Sequence, residues 1–532
     1  MEKTGTQDAG AATDQAVEQG FMLLQQGKVA EATQLCRPLV LAHPAHPRVL
    51  MLACEVRLAN GDLAGAIEAA DAAMAAQPGN AALMLKKAHV LVLLRERTEA
   101  RRLAAEAAAL ASGDGRSQWA AGKVFANCGD AAGACPYFEA ALAAGLGHWA
   151  LHFDLASAQF FAGRFEAAEQ QLAQVLAQVP GHGQAMYLRS ILKRQTEEDN
   201  HVADLQARLK GRLARPADAA AGLFALAKEH EDLGQAEASF KALSEGAAIK
   251  RRTLSYDAAA ERAVIDGLRG LYTAEFMARP TPGHEEEGAI FIVGMPRTGT
   301  TLAERMLASQ GDVGSAGELL DFGQLLAIAA QDAQAAQPHL SVAEASLSID
   351  FAALGRKYMA AARQAAPGHR HFIDKMPINF MYCGMIRKAL PKARIIHLVR
   401  DPMDTCYAVF KTLFFQAYPF SYDQAELAEY FITYRRLMQH WQAVMPGGIL
   451  DLRYEDLVTD TEAQARRMLD FCGLDWNPAV LDPSAHPGAI VSASAAQVRE
   501  PVHAGSVGKW RRYEAGLKPL HDRLAAEGLL AP

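Results

Sequence analysis

The first third of this chain repeats itself every 34 residues, and that period constrains the fold more than any other feature. Segments opening with a turn or polar residue begin at Gly27, Gly61, Arg95, Gly129 and Gly163 without a slip: GKVAEA, GDLAGA, RERTEA, GDAAGA and GRFEAA. Each carries Ala in the same register, at Ala32, Ala66, Ala100, Ala134 and Ala168. Small residues recur seven positions before each turn, at Gly20, Cys54, Ala88, Gly122 and Ala156, and Pro44, Pro78 and Pro180 end three of the units. A turn that parts two helices, small residues that let them approach, and a Pro that stops the second describe a helix pair. Such a pair cannot bury its apolar face alone and must stack on its neighbour. Five units read clearly over about residues 13–181. A further pair between Gly183 and Arg215, closed by Pro216, and another around Gly234 follow in a blurred register.

From Gly288 the pattern alternates strands and helices, the signature of a mainly parallel sheet covered by helices. Strands are expected at Ala289–Val293, His371–Ile373, Arg394–Val399 and Gly448–Arg453, each running into a polar cluster: PRTGTT, DKMP, RDPMD and YEDL. Ligands of such sheets sit beyond the carboxyl ends of the strands, so four clusters make one site if the strands are neighbours. Between the halves, Arg279 to Gly288 (RPTPGHEEEG) has linker composition, and His284 with the consecutive Glu285, Glu286 and Glu287 reads as solvated linker, not a metal site. The expected division is a disordered lead-in at 1–14, a helical repeat array at 15–250, a connector at 251–287 and an α/β domain at 288–532.

The net charge of −7 excludes a polybasic nucleic-acid or membrane-surface binder. No apolar run approaches the roughly 18 residues of a membrane span, and the polar start MEKTGTQDAG lacks a secretory core. Seven scattered cysteines with no C-x-x-C spacing argue against a disulfide framework or a structural zinc. The expectation is a soluble, cytoplasmic protein without a nucleic-acid partner.

The chemistry concentrates in Gly288–Thr301, GAIFIVGMPRTGTT. An apolar strand, a tight loop and a helix start aim backbone N–H groups and the positive helix end at one anion. The spacing is that of a phosphate loop, but Thr300 stands where a nucleotide triphosphatase has Lys, and Arg297 sits inside the loop.

With these residues in view, the first half resembles the tetratricopeptide repeat. The second resembles sulfotransferases that use 3′-phosphoadenosine 5′-phosphosulfate (PAPS), over about residues 286–515. Gly294–Thr301 is similar to their 5′-phosphosulfate loop and Arg394–Pro402 to their strand and turn for the 3′-phosphate; the tyrosylprotein and repeat-bearing bacterial enzymes are nearest in pattern. The fold implied is an all-α repeat solenoid followed by a phosphate-loop-like α/β domain. Sulfuryl transfer moves less charge than phosphoryl transfer, so arginine and hydroxyl donors can act without a metal.

The resemblance implies that Pro296, Arg297, Thr298, Gly299, Thr300 and Thr301 hold the phosphosulfate and Arg400 the 3′-phosphate. It places Tyr454 near the adenine and gives Lys509 a grip on the nucleotide. By the same match Glu318 is the base, Lys375 supports charge on the bridging oxygen, and Ser494 stabilises the transition state. The family pattern has Ser where this chain has Ala408, leaving Thr405, Lys411 or Thr412 to supply the contact. The acceptor is a hydroxyl of a protein, carbohydrate or small molecule. Leu319, Leu320 and Asp321 follow Glu318 where the tyrosylprotein enzymes carry arginines for acidic peptides. The array could hold a protein or peptide partner. The segment Phe414–Tyr422 reads as core aromatics before acceptor cleft. Ala408 keeps open a second reading, a repeat scaffold whose nucleotide-binding domain is inactive, and a kinase using the variant loop is a third.

Overall fold

The computed structural model describes residues 3–211, 213, 215–483 and 503–530. The chain divides into two compact units, Met1–Ala158 and Gln159–Pro532.

The first unit is helical. Its helices run Lys3–Gln25, Val29–Ala42, Pro47–Ala59, Leu63–Ala76, Ala81–Leu93, Arg97–Leu110, Gly115–Asn127 and Ala131–Ala143, and the unit ends within Trp149–Phe161. The first helix extends back across residues expected as lead-in, where Ala9, Ala11 and Ala12 favour helix. Every turn residue of the register takes the left-handed conformation, Gly27, Gly61, Gly129 and Gly163 at φ 74° to 82° and Arg95 at 67°. The registered alanines, Ala32 to Ala168, are all fully buried. A Cβ on Gly122 would meet the Phe138 ring at 2.5 Å, which is why that position takes a glycine.

The second unit continues with helices Phe165–Gln178, Gly183–Ile191, Val202–Lys210, Pro216–Asp232, Ala236–Arg252 and Ala258–Leu271. Pro216 opens a helix at its first position, where its missing N–H costs nothing, and does not close the preceding pair. The sheet follows: β1 Ala289–Gly294, β2 Val313–Ser315, β3 His371–Asp374, β4 Arg394–Val399 and β5 Ile449–Arg453. All pairings are parallel, in the order β2-β3-β1-β4-β5. β2 is the strand that the sequence pattern did not announce. Ile290 and Ile292 pack with Ile396, Leu398, Leu452, Met306 and Met468 on one face. On the other, Phe291 packs on Phe322 and Tyr358. Burial on both faces explains why β1 is apolar throughout. The four expected strands are consecutive neighbours, so their polar clusters do meet at one edge. All seven cysteines are buried and free, and among the described residues no helix is long and apolar enough to cross a membrane.

Candidate active site

Beyond β1 the chain turns through Met295–Gly299 into the helix Thr300–Ala308. Gly294 has φ 149° and lies so close to β4 that a Cβ would stand 2.7 Å from the Leu398 carbonyl oxygen. Gly299 has φ 98°, and its Cβ would stand 2.4 Å from the Tyr454 ring. Arg297 takes φ 67°, a conformation that costs an L-residue about 1–2 kcal/mol. The Thr298 hydroxyl donates to the Met295 carbonyl at 2.8 Å and pins the loop. No acidic residue occupies the first turn of the following helix, so its positive end is left for an anion. Thr298, Thr300 and Thr301 are buried.

Two arginines converge here. Arg400, at the end of β4, donates to the Arg297 carbonyl at 3.0 Å and the Ser506 carbonyl at 2.7 Å, and lies over the Tyr454 ring at 4.7 Å. Its Nε is buried and meets no partner among the described residues. Burial lowers the pKa of Arg297, and Arg400 adds to the effect while Tyr187, Tyr454 and Glu318 oppose it. Tyr454 shares a 2.7 Å hydrogen bond between its hydroxyl and that of Ser506. Lys509 pairs with Glu231 at 2.8 Å. Ser494 lies outside the described residues.

Glu318 follows β2. The Ala316 amide donates to the Ile373 carbonyl at 2.9 Å and the Lys375 amide to the Gly317 carbonyl at 2.9 Å, prolonging the β2–β3 pairing. That register sets the partly exposed Glu318 against the buried Lys375, and the two form an ion pair. Glu304 stands 3.8 Å from the same ammonium and accepts the Ser315 hydroxyl at 2.5 Å. Burial opposes the charge on Lys375, but Glu318 and Glu304 outweigh it and raise its pKa. Burial raises the pKa of Glu304, with Lys375 acting against it. Burial lifts Asp374 to about 7 although the Tyr358 hydroxyl donates to it at 2.7 Å.

Sequence reasoning missed several neighbours. Asp404, buried in the RDPMD cluster, accepts the Gly508 amide at 2.5 Å and so anchors the segment carrying Lys509. Tyr187 and Glu231 come from helices long before the loop, and no local motif marks them. The expected core aromatics divide: Phe420 and Tyr422 are buried, whereas Phe414, Phe415 and Tyr418 are partly exposed and Tyr418 interacts electrostatically with Glu318. Of the stand-ins for a Ser at 408, the Thr405 hydroxyl donates to the Arg400 carbonyl at 3.5 Å and that of Thr412 to the Ala408 carbonyl at 2.8 Å. Among the described residues no group of three or more His, Cys, Asp or Glu is placed to hold a metal ion.

A loop bounded by two positive-φ glycines and ending on a helix N-terminus, with Arg400 held against the Arg297 carbonyl, has the make-up of an anion site, and its sequence lies within the match to a known family model. Residues 289–478 match the model of the sulfotransferase family. Residues 129–192 match the tetratricopeptide repeat model. An uncharacterized protein of Aquifex aeolicus is 30% identical over 376 residues, 68% of this chain and 48% of that protein. A protein-tyrosine sulfotransferase of Drosophila melanogaster is 26% identical over 249 residues, 43% of this chain and 48% of that one. An omega-hydroxy-beta-dihydromenaquinone-9 sulfotransferase of Mycobacterium tuberculosis is 32% identical over 110 residues, 19% of this chain and 28% of that one. The chain thus spans about half the length of the first two of these relatives. The sulfotransferase domain holds the loop, both arginines and the Glu318–Lys375 pair; Glu231 and Tyr187 reach it from the helices ahead of it.

Proposed function

We propose that the sulfotransferase domain moves a sulfuryl group from PAPS to an acceptor hydroxyl, with Glu318 as base. The observation that carries this reading is the Glu318–Lys375 ion pair at the carboxyl end of the sheet, with Arg297 within electrostatic reach of Glu318. The residues fit the nucleotide: no acidic side chain occupies the first turn of the loop's helix, and the buried Arg400 Nε meets no partner among the described residues.

When bound, PAPS supplies the sulfuryl group on a phosphate leaving group. Pro296 to Thr301 hold the phosphosulfate through backbone N–H groups and hydroxyls, and Arg297 supplies the charge that the loop lacks without its Lys. Arg400, Tyr454 and Lys509 hold the rest of the nucleotide. Glu318 would take the proton of the acceptor hydroxyl, and the Lys375 ammonium, with Ser494 by the family match, would stabilise the charge that develops on the leaving oxygen. No role falls to a metal. The exposed Leu320 stands close after Glu318 in the chain and Tyr418 lies within electrostatic reach of that carboxylate, which favours a hydroxyl on an uncharged body over one in an acidic peptide. The repeat array serves to hold a protein or peptide partner, and the site of action is the cytoplasm.

The test is sulfuryl transfer from PAPS to a panel of phenols and alcohols. Glu318→Ala and Glu318→Gln are expected to lower kcat by about 10²- to 10⁴-fold, with the affinity for adenosine 3′,5′-bisphosphate retained. Full turnover in both variants would remove Glu318 from the base role. Bisphosphate binding by the wild-type protein with no turnover on any acceptor would favour the scaffold reading.

A further inference from the structure

Beside the loop lies a buried polar chain that the proposed chemistry does not use. In the parallel register His397 of β4 stands between Val293 of β1 and Asp451 of β5. Tyr434, from the helix Gln424–Val444, meets its ring. His397 and Tyr434 are buried, and the Asp451 side chain is 43% exposed, so the chain ends at solvent. His397 Nδ1 lies 2.8 Å from one Asp451 carboxylate oxygen, and Gln442 Nε2 donates to the other. On the far side of the ring, Nε2 hydrogen-bonds the Tyr434 hydroxyl. That hydroxyl in turn meets the backbone of Met295 and the side chain of Arg435.

The protons of this chain can be placed. Burial opposes the charge on Asp451, but His397 and Gln442 outweigh it and keep its pKa below the usual carboxylate value. An ionised carboxylate only accepts, so the His397 Nδ1–H donates to it. Burial lowers the pKa of His397 against the pull of Asp451, and Arg435 adds to the lowering. A neutral ring that donates through Nδ1 accepts through Nε2, so the Tyr434 O–H is the donor there. The Tyr434 oxygen is left to accept. Burial raises its pKa, and Arg435 and the Met295 amide lessen the rise, as donors to that oxygen do. Every link thus points one way, from the Met295 amide to the Asp451 carboxylate. Met295 is where β1 gives way to the loop. Its carbonyl accepts the Thr298 hydroxyl and its amide meets Tyr434, so side chains hold both of its backbone groups. Two residues on, Arg297 takes the left-handed conformation, which persists only where the surroundings over-determine it.

We propose that Tyr434 and His397, anchored by Asp451, are positioning residues for sulfuryl transfer: they fix the Met295 amide and, through it, the shape of the loop Met295–Gly299. Neither touches a ligand in this role. The consequence for the nucleotide rests on the PAPS reading above, whereas the hold on the loop does not. The Tyr434 hydroxyl carries the effect, because a Phe in its place would keep the ring contacts with Phe380 at 4.9 Å and Phe431 at 5.6 Å and lose only the chain.

The test uses the full chain, with hydrogen–deuterium exchange of the segment around Met295 in the absence of ligand and calorimetric titration with adenosine 3′,5′-bisphosphate. Tyr434→Phe is expected to speed exchange of that segment by about 3- to 10-fold, the size of one net hydrogen bond, and to weaken bisphosphate binding by a similar factor. His397→Phe should do the same. His397→Gln, whose amide oxygen can accept the Tyr434 hydroxyl, should recover most of both losses, a rescue that merely filling the core would not give. Unchanged exchange around Met295 in Tyr434→Phe would overturn the proposal, even with a lower Tm. Faster exchange with unchanged bisphosphate binding would overturn the role in the site, and equal losses in His397→Phe and His397→Gln would overturn the chain. Should Tyr434→Phe fail to fold by circular dichroism, the two His397 variants decide. Failure of the wild-type protein to bind the bisphosphate defeats the nucleotide reading alone, because the exchange measurement still decides whether Tyr434 holds the loop.

Discussion

At the scale of single residues, the site is built from positions where a side chain is forbidden and positions where a charge is forced. Gly299 is the first kind: φ 98° disfavours any L-residue, and the Tyr454 ring fills the space a Cβ would take. Gly299→Ala is expected to lose about 1–3 kcal/mol of stability and at least about tenfold in bisphosphate affinity, measured by thermal unfolding and calorimetry. A variant as stable and as avid as the parent would mean that the loop does not need this conformation. Lys411 is the second kind. Burial, then Lys509 and Arg297, pull its ammonium down to about 8 against the opposing pull of Glu231. A depressed lysine is partly neutral near pH 8, and a phosphate dianion beside it drives its pKa back up. Bisphosphate binding between about pH 8 and 9 should therefore take up a proton. Titration in two buffers of different ionisation enthalpy reads this directly, and Lys411→Met should show no such uptake; the groups facing Lys411 are Glu231, Lys509, Arg297 and Tyr407.

At the scale of elements, what was legible in the sequence is what local physics enforces. The 34-residue register was readable because each turn must be left-handed and each registered Ala must be buried, and both hold in every unit. Gly61→Ala puts a Cβ where only the backbone objects, since nothing lies within 4 Å of it. It should cost about 1 kcal/mol and lower Tm by a few degrees; no change would mean that this turn is not rigidly left-handed in solution. The strands β1, β3, β4 and β5 were readable from apolar runs ending in polar clusters. β2 was not, because three residues, Val313–Ser315, are too few to show a period. Glu318 carries a motif beside that strand, so its position could be expected although its strand could not. Glu231 and Tyr187 were invisible for another reason. Each sits in a helix whose own pattern is complete without it, and its chemistry arises only when that helix packs against the sulfotransferase domain.

At the scale of the molecule, that packing makes the helices after the repeat register part of the same body as the sheet. Phe224 meets Tyr422 edge-on at 6.0 Å, Phe240 stacks near Tyr513 at 6.0 Å, and Tyr187 meets Phe415 at 5.9 Å. Arg251 grips Glu426 through two hydrogen bonds of 2.7 and 2.8 Å. Removing these helices would uncover aromatic faces, each worth about 1.5–3 kcal/mol when buried, and would delete the Glu231 carboxylate. A chain beginning at Leu146 keeps the whole compact unit Gln159–Pro532. It is expected to unfold cooperatively and to bind adenosine 3′,5′-bisphosphate within about threefold of the full chain. A chain beginning at Gly288 keeps every residue of the family match at 289–478, yet it should aggregate or bind at least about tenfold more weakly. Thermal unfolding, light scattering and calorimetry on the two truncations decide the matter. If the shorter chain is monomeric, as stable as the longer one and as avid for the bisphosphate, the helical region does no more than accompany the sulfotransferase domain, and the boundary of the working unit lies at the sheet.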